Sequence, residues 1–236
     1  MRFNVIVADP PWGFSDKLTM SDVKRGSEAN YNGVLSIDKI KSLDIHSVSQ
    51  DDAVLALWVP SSLLPEGLDV MKAWGFELKQ THIWVKTKKN PFDKIKDDIK
   101  KLIKSSNSIK SFFSSIIEYI DLIDFNDFLG FFMGRLFRNV HEICLLGVKG
   151  KHIYKQLKNK SQRSVHFAPN LEHSAKPPIL QDRLELMFPD AKKLELFARR
   201  PKDGWVCVGN ELVSTNPNDS PFGEDIFDSI RRLKDL

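Results

Sequence analysis

The segment of residues 3–12 constrains the fold more than any other part of this chain. It begins as an apolar run of strand length, Phe-Asn-Val-Ile-Val-Ala, and then breaks into Asp9, Pro10, Pro11 and Trp12. Two consecutive prolines donate no backbone N–H and cannot continue a sheet ladder, so the strand must end at Asp9. In an open α/β sheet, ligands bind beyond the carboxyl ends of the strands, and this turn would lie there.

The turn is rich in hydrogen-bond acceptors, which indicates one kind of chemistry. An exocyclic amine of a nucleobase has two N–H donors and a lone pair drawn into the ring, and Asp9 with a proline carbonyl could hold both hydrogens. Trp12 could stack on a base taken out of its helix or strand. The alternative is that the four residues form only a stiff turn after a strand, and the motif alone leaves both open.

The rest of the chain predicts one α/β domain. A length of 236 residues with 42% hydrophobic and 28% charged residues is typical of a soluble globular protein. Short apolar strands alternate with helical patterns, which favours an α/β sheet. Two helices carry apolar stripes that we expect in the core, namely Leu64, Leu68 and Met71, and Leu180, Leu184 and Met187. The predicted strands are residues 5–8, 53–59, 77–85, 142–148, 194–197 and 205–208.

Net charge and cysteine content limit which partners and which cellular compartment the sequence indicates. A net charge of +4 is compatible with a polyanionic partner but does not require one. Cys144 and Cys207 lie in predicted strands and read as buried thiols, and no spacing indicates a metal site or a disulfide. The chain opens directly into a strand without a signal peptide, and no apolar run reaches membrane-spanning length. We therefore expect a cytoplasmic protein without metal and without membrane contact.

A lysine-rich and aromatic insertion is predicted at about residues 88–128 of a domain that covers residues 1–212. Residues 86–110 contain nine lysines and three aspartates, so this part is an amphipathic helix packed on the domain, a nucleic-acid contact or a dimer surface. Residues 149–163 hold six Lys or Arg and no acid, and they predict a loop that could clamp phosphates. Residues 213–236 form a polar tail that ends in a short helix.

Two late strands end in polar residues and complete the pattern. One leads into Phe197 and Arg199, and the other into Asn210 and Glu211, side chains that suit ribose hydroxyls and a carboxylate. Together with the Asp-Pro-Pro-Trp (DPPW) motif, they make the chain resemble the MT-A family of N6-adenine methyltransferases, which includes the eukaryotic mRNA adenosine methyltransferase catalytic subunit and bacterial and phage adenine-DNA methyltransferases. The resemblance runs from Phe3 to Leu212, with supporting matches at residues 55–59, 74–76, 84–87, 138–150 and 173–177.

This resemblance implies a Rossmann-like methyltransferase that depends on S-adenosyl-L-methionine and has a permuted motif order, with the catalytic strand first and the cofactor strand late. The implied catalytic residues are Asp9, Pro10, Pro11 and Trp12, with Trp12 and Tyr31 beside the substrate. The implied cofactor-binding residues are Asp9, Lys176, Phe197, Arg199, Asn210 and Glu211. Glu211 stands where the mRNA enzyme has a glutamine, and its carboxylate can accept from ribose hydroxyls or from the adenine amine of the cofactor.

The expected reaction is methylation of the N6 amine of adenine in DNA, because the compact chain is similar to the bacterial and phage members. Two alternatives on the substrate are N6 methylation of adenine in RNA and methylation of the N4 amine of cytosine. A third alternative is a catalytically silent nucleic-acid-binding partner subunit of a methyltransferase. The chain is also expected to form a homodimer or to join a partner subunit.

Overall fold

A seven-stranded sheet runs through the part of the chain that the structure describes. This structure is a computed structural model, and it describes residues 1–13, 34–134, 136–170, 175–212 and 224–236. The strands are β1 (Phe3–Ala8), β2 (Ser49–Val59), β3 (Glu77–Thr87), β4 (His141–Lys149), β5 (Val165–Pro169), β6 (Lys193–Leu196) and β7 (Trp205–Val208). Their order in the sheet is β5-β3-β4-β2-β1-β6-β7.

The helices alternate with these strands. They are α1 (Ile37–Lys41), α2 (Ile45–Val48), α3 (Leu64–Ala73), α4 (Asp93–Ser105), α5 (Ile109–Asp121), α6 (Ile179–Met187) and α7 (Ile226–Asp235), with short 3-10 turns at Ser61–Leu63, Phe125–Phe128 and Ile153–Gln156. Side-chain oxygens of Ser36, Asp44 and Asp225 accept backbone N–H groups and so begin three of the helices. Gly75, with φ of +83°, follows the end of α3. No helix in the described ranges is long and apolar enough to cross a membrane.

The chain divides into two compact units. The first contains Met1–Ile83, Glu142–Val165 and Pro178–Leu236, and the second contains Trp84–His141 and His166–Pro177.

β1 is the central strand of the first unit, and all six of its residues are buried. It pairs in parallel with β2 on one side and with β6 on the other, and β7 pairs in parallel with β6. β4 pairs with β2 in the antiparallel direction. A parallel strand with both faces covered needs a nearly continuous apolar run, which residues 3–8 provide apart from Asn4, whose side-chain amide donates to Gln50 at 3.0 Å. The carboxyl ends of β1, β2, β6 and β7 therefore lie at one edge of the sheet.

The C-terminal tail contributes to the core of the first unit. α7 buries Ile226, Ile230 and Leu233, which belong to the same hydrophobic cluster as Phe3 and Ile6 of β1. The tail helix is therefore part of the packed unit, and its apolar side chains remove further surface from water.

The predicted strands are all present, the sequence missed one further strand, β5, and three details of the prediction are wrong. Phe197 lies outside β6 in a left-handed conformation, and Cys207 is only partly buried. Leu68 is 41% exposed, because the buried face of α3 runs through Gly67, Val70 and Met71 instead. A Cβ at Gly67 would lie 2.7 Å from the Val59 side chain, so this glycine lets α3 approach β2 along that line.

The second unit contains the lysine-rich insertion as two helices, α4 and α5. Lysines of α4 pair with its own aspartates, with Lys100 Nζ 2.9 Å from Asp97 and Lys101 Nζ 2.8 Å from Asp98. The Tyr119 hydroxyl of α5 donates to Asp98 at 3.2 Å and joins the two helices. Because much of the lysine charge is matched within α4, the helix is less basic than its lysine count indicates.

Trp84 organises the strands of the second unit. It is fully buried, its indole N–H donates to the Ala168 carbonyl at 3.0 Å, and its ring stacks on His166 with an angle of 2° between the planes. The Lys86 ammonium lies 5.1 Å from the centre of the same ring. This cluster ties β3 to β5.

We predict that Gly147→Ala destabilises the first unit. A Cβ at this position of β4 would lie 2.7 Å from Met71 Sδ and 3.1 Å from Phe76 Cβ, so α3 must shift or repack. The expected cost is about 1–3 kcal/mol in the free energy of unfolding, measured by denaturant titration. An unchanged unfolding midpoint would contradict this tight contact between α3 and β4.

Candidate active site

Three strand ends come together at one edge of the first unit. Ala8, the last residue of β1, pairs with Leu196 of β6, and Leu196 pairs with Val208 of β7. β1 is also the point where the strand order reverses, since β2 lies on one side of it and β6 on the other. Ligands of open α/β sheets bind at such a switch point. The predicted site residues that follow these strand ends are Asp9, Phe197, Arg199, Asn210 and Glu211.

The Asp-Pro-Pro-Trp turn is fixed by backbone hydrogen bonds. The N–H of Trp12 donates to the Pro10 carbonyl at 2.9 Å, and the N–H of Leu35 donates to the Pro11 carbonyl at 3.0 Å. The N–H of Gly13 returns a bond of 3.2 Å to the Leu35 carbonyl. Each carbonyl oxygen has two lone pairs, so one on each proline can still accept from a ligand amine. The turn therefore keeps its acceptors while it is held rigidly.

Trp12 is a buried part of this turn. Its side chain is 4% exposed, belongs to the hydrophobic core, and donates its indole N–H to the Trp58 carbonyl at 2.9 Å. The indole thereby anchors the turn to the end of β2. Stacking of a base on Trp12 stays a prediction, and Tyr31 lies outside the described residues.

The segment that follows β6 lies in close contact with the segment that follows β7. Phe197 has φ of +62°, an uncommon conformation for a residue other than glycine, and such positions cluster at functional sites. The N–H of Ala198 donates to the Val208 carbonyl at 3.0 Å. A Cβ at Gly209 would lie 2.5 Å from the Ala198 oxygen and 2.7 Å from its nitrogen. Only glycine fits at residue 209, and the two connections form a narrow cradle.

Arg199 and Glu211 face each other across this cradle. Arg199 Nε lies 3.1 Å from Glu211 Oε2, and the two side chains are 27% and 28% exposed. A pair this exposed adds little to stability. It does fix a carboxylate and a guanidinium side by side, a suitable arrangement for hydroxyl groups of a ribose. Lys176 belongs to the second unit, and its predicted role stays a prediction.

Glu195 is a buried carboxyl near this edge that sequence reasoning missed. It lies in β6, in register with Val7 of β1 and Cys207 of β7, and accepts a hydrogen bond of 3.2 Å from Gln181 Nε2 of α6. Burial raises the pKa of its carboxyl to about 7, the hydrogen bond from Gln181 opposes this rise, and the negative charge of Asp9 adds to it. An acid between two apolar residues of a short strand was the available signal.

The fold and the site together define a class. A mixed seven-stranded sheet with helices, a parallel part around β1 and a polar cradle at the switch point make this a Rossmann-like α/β protein. The chain belongs to the MT-A70 family, which matches residues 3–108 and 117–211. Members of this family use S-adenosyl-L-methionine as methyl donor. The predicted family, fold class and cofactor are therefore confirmed.

Relatives of the chain carry related names. An N(6)-adenosine-methyltransferase MT-A70-like protein of Arabidopsis thaliana is 26% identical over 212 residues, which are 89% of this chain and 24% of that protein. The N(6)-adenosine-methyltransferase catalytic subunit METTL3 of Homo sapiens is 26% identical over 213 residues, 89% of this chain and 28% of that protein. The Type II methyltransferase M.MunI of Mycoplasma sp is 25% identical over 225 residues, 89% of this chain and 78% of that protein. The chain thus spans about a quarter of the length of the first two.

The residues at this edge fit the family's cofactor. The cradle at Gly209 has no room for a side chain, because a Cβ there would overlap the Ala198 backbone. The buried Oε1 of Gln181 has no hydrogen-bond partner among the described residues. The carboxyl groups of Asp9 and Glu195 suit the cationic methionine half of S-adenosyl-L-methionine. The pair of Arg199 and Glu211 suits its ribose.

We predict that Gly209→Ala weakens cofactor binding at least about tenfold, because the new methyl group would overlap the Ala198 backbone and force the cradle apart. Titration calorimetry with S-adenosyl-L-methionine measures this. Gly204→Ala is the control, since an alanine there strains the backbone, at a φ of +78°, but nothing lies within 4 Å of its Cβ position. Equal affinity of the Gly209 variant and the wild type would contradict the cradle.

We predict that Glu195→Gln stabilises the protein at high pH. The pKa of Glu195 rises from 4.5 to about 7 on folding, so the folded chain binds more protons than the unfolded chain between these values. Stability contributed by this group therefore falls as pH rises through that window. The variant should gain about 1–3 kcal/mol at about pH 8 and much less at about pH 4.5, measured by denaturant unfolding. A gain that does not grow with pH would be evidence against a buried, protonated Glu195.

Proposed function

We propose that the chain is an S-adenosyl-L-methionine-dependent methyltransferase that acts on the exocyclic N6 amine of adenine in DNA. The observation that carries this proposal is the acceptor-rich turn of residues 9–12 at the same sheet edge as the cradle of Gly209. One part of this edge suits an amine, and the other suits the cofactor. Membership of the MT-A70 family supports the same reaction.

The chain's part in the reaction is positioning. The Asp9 carboxylate and the remaining lone pair of the Pro10 carbonyl accept the two amine hydrogens, which localises the nitrogen lone pair toward the cofactor. The cofactor supplies an activated methyl group on a sulfonium. The amine would become acidic only as it gains the methyl group, and the Asp9 carboxylate, which accepts one of its hydrogens, would take the released proton. Trp12 and Pro11 keep this turn in place through their bonds to Trp58 and Leu35.

The remaining predicted residues complete the proposal. Tyr31 and Trp12 would lie beside the target base. The proposed cofactor-binding residues are Asp9, Lys176, Phe197, Arg199, Asn210 and Glu211. As a nucleic-acid enzyme of this kind, the protein would act in the cytoplasm, alone, as a homodimer or with a partner subunit.

DNA is the proposed substrate because of the match to the Type II methyltransferase M.MunI. The match covers 78% of that protein. The second candidate is methylation of adenine in RNA, which the names of the adenosine-methylating relatives favour.

We expect Asp9→Asn to lose methyl transfer by a factor of at least about 100. The asparagine amide replaces one carboxylate oxygen with an NH2 group, which cannot accept a hydrogen bond from the substrate amine. Cofactor affinity should fall by a smaller factor, because Asp9 is only one of the proposed cofactor-binding residues. Transfer of a labelled methyl group and calorimetry measure the two effects. Asp69→Asn, on the exposed face of α3, is the control that should keep full activity. Full activity of the Asp9 variant would overturn the mechanism.

The substrate is tested by offering duplex DNA, single-stranded DNA and RNA of one sequence and then identifying the methylated nucleoside. We expect N6-methyladenine in DNA. Preference for RNA would overturn the choice of DNA, and N4-methylcytosine would overturn the choice of adenine. Bound cofactor without methylation of any of the three would favour a silent partner subunit.

A further inference from the structure

Glu195 and Gln181 form a polar pair that the proposed reaction does not use. Glu195 lies between Leu194 and Leu196, both fully buried, and its register partner in β1 is Val7. Residues two apart along a strand share a face, so Val7 and Glu195 lie on the side to which Asp9 continues. The pair is therefore next to the amine-binding turn.

The side-chain amide of Gln181 has one hydrogen bond as a donor and none as an acceptor. Gln181 is 6% exposed, and its Nε2 donates to Glu195 Oε1 at 3.2 Å. Its Oε1 is buried and accepts no hydrogen bond from any residue that the structure describes. A buried carbonyl oxygen without a donor is costly, so this oxygen suits a donor group of a ligand.

The charges around Glu195 leave it without a close cation. Asp9 faces it from the end of β1 with a negative charge, and the Cys207 thiol lies beside it on β7. Lys202 is the positive group that acts on it, but Lys202 Nζ bonds to Asp182 at 2.7 Å and to Glu185 at 3.2 Å on α6. No lysine or arginine within the described ranges forms a salt bridge with Glu195. With a pKa of about 7, this carboxyl is about half protonated at pH 7.

We propose that Glu195, oriented by Gln181, binds the cationic methionine half of S-adenosyl-L-methionine together with Asp9, and that its carboxyl gives up a proton as the cofactor binds. This inference rests on the proposed position of the cofactor at the sheet edge. The ligand carries an ammonium and a sulfonium, and the two carboxylates match these two charges. The O–H bond of Glu195 breaks and the proton passes to the buffer. Gln181 Oε1 can then accept from the ligand ammonium.

Titration calorimetry of the intact chain with S-adenosyl-L-methionine tests this inference. The experiment is run in buffers of different ionisation enthalpy, which reveals protons released on binding. At pH 7, where Glu195 is about half protonated, the wild type should release about half a proton per cofactor. Its affinity should rise about fivefold between pH 6 and pH 7.

Variants separate Glu195 from other groups. Glu195→Gln should release no proton and show nearly constant affinity across this range. Glu77→Gln, an exposed carboxyl that pairs with Lys79 at 2.6 Å, is the matched control and should behave as the wild type. Gln181→Met removes the hydrogen bond that lowers the pKa of Glu195, so its proton release at pH 7 should rise toward one. This second variant tests the inference even where Glu195→Gln fails to fold.

Two results would overturn the role of Glu195 while leaving the proposed function intact. One is cofactor binding by the wild type without proton release, and the other is equal release by Glu195→Gln. A wild type that binds no cofactor at all would instead overturn the proposed function itself.

Discussion

The parallel pairing of β1 with β2 and β6 is the constraint on which the rest of the structure depends. Because β1 is buried on both faces and bonded on both edges, the position of its last residue is fixed. The two prolines after Asp9 then force the chain out of the sheet at the point where the strand order reverses. The same pairing aligns the end of β6 with the turn of residues 9–12. Two parts of a site that are almost 190 residues apart in sequence thereby become neighbours.

Sequence reasoning succeeded where one local signal controls the outcome. Buried parallel strands need apolar runs, and those runs located six of the strands. It failed where tertiary contacts decide. Leu68 fits a helical stripe, but the close contact between Gly67 and Val59 rotates the buried face of α3 away from it. β5 has only a short alternating pattern, and its strand depends on Trp84 and Ala168, which are far apart in the chain.

The candidate site shows the same division. Asp9, Arg199 and Glu211 follow strand ends and could be found from the sequence, whereas Glu195 lies inside a strand and looked like ordinary sheet. What distinguishes it is its burial near Asp9 and its hydrogen bond from Gln181 of a distant helix. A buried carboxyl costs stability, and apolar packing around Leu194 and Leu196 offsets that cost. Groups kept at such a cost are good candidates for function.

The central claim is that one edge of this sheet holds both the amine and the methyl donor. A crystal structure of the chain with S-adenosyl-L-methionine tests it most directly. We predict the methionine half of the cofactor beside Asp9 and Glu195, with a cationic group within about 4–6 Å of a carboxylate, and the ribose at the pair of Arg199 and Glu211. Cofactor bound away from the ends of β1 and β6 would contradict the account.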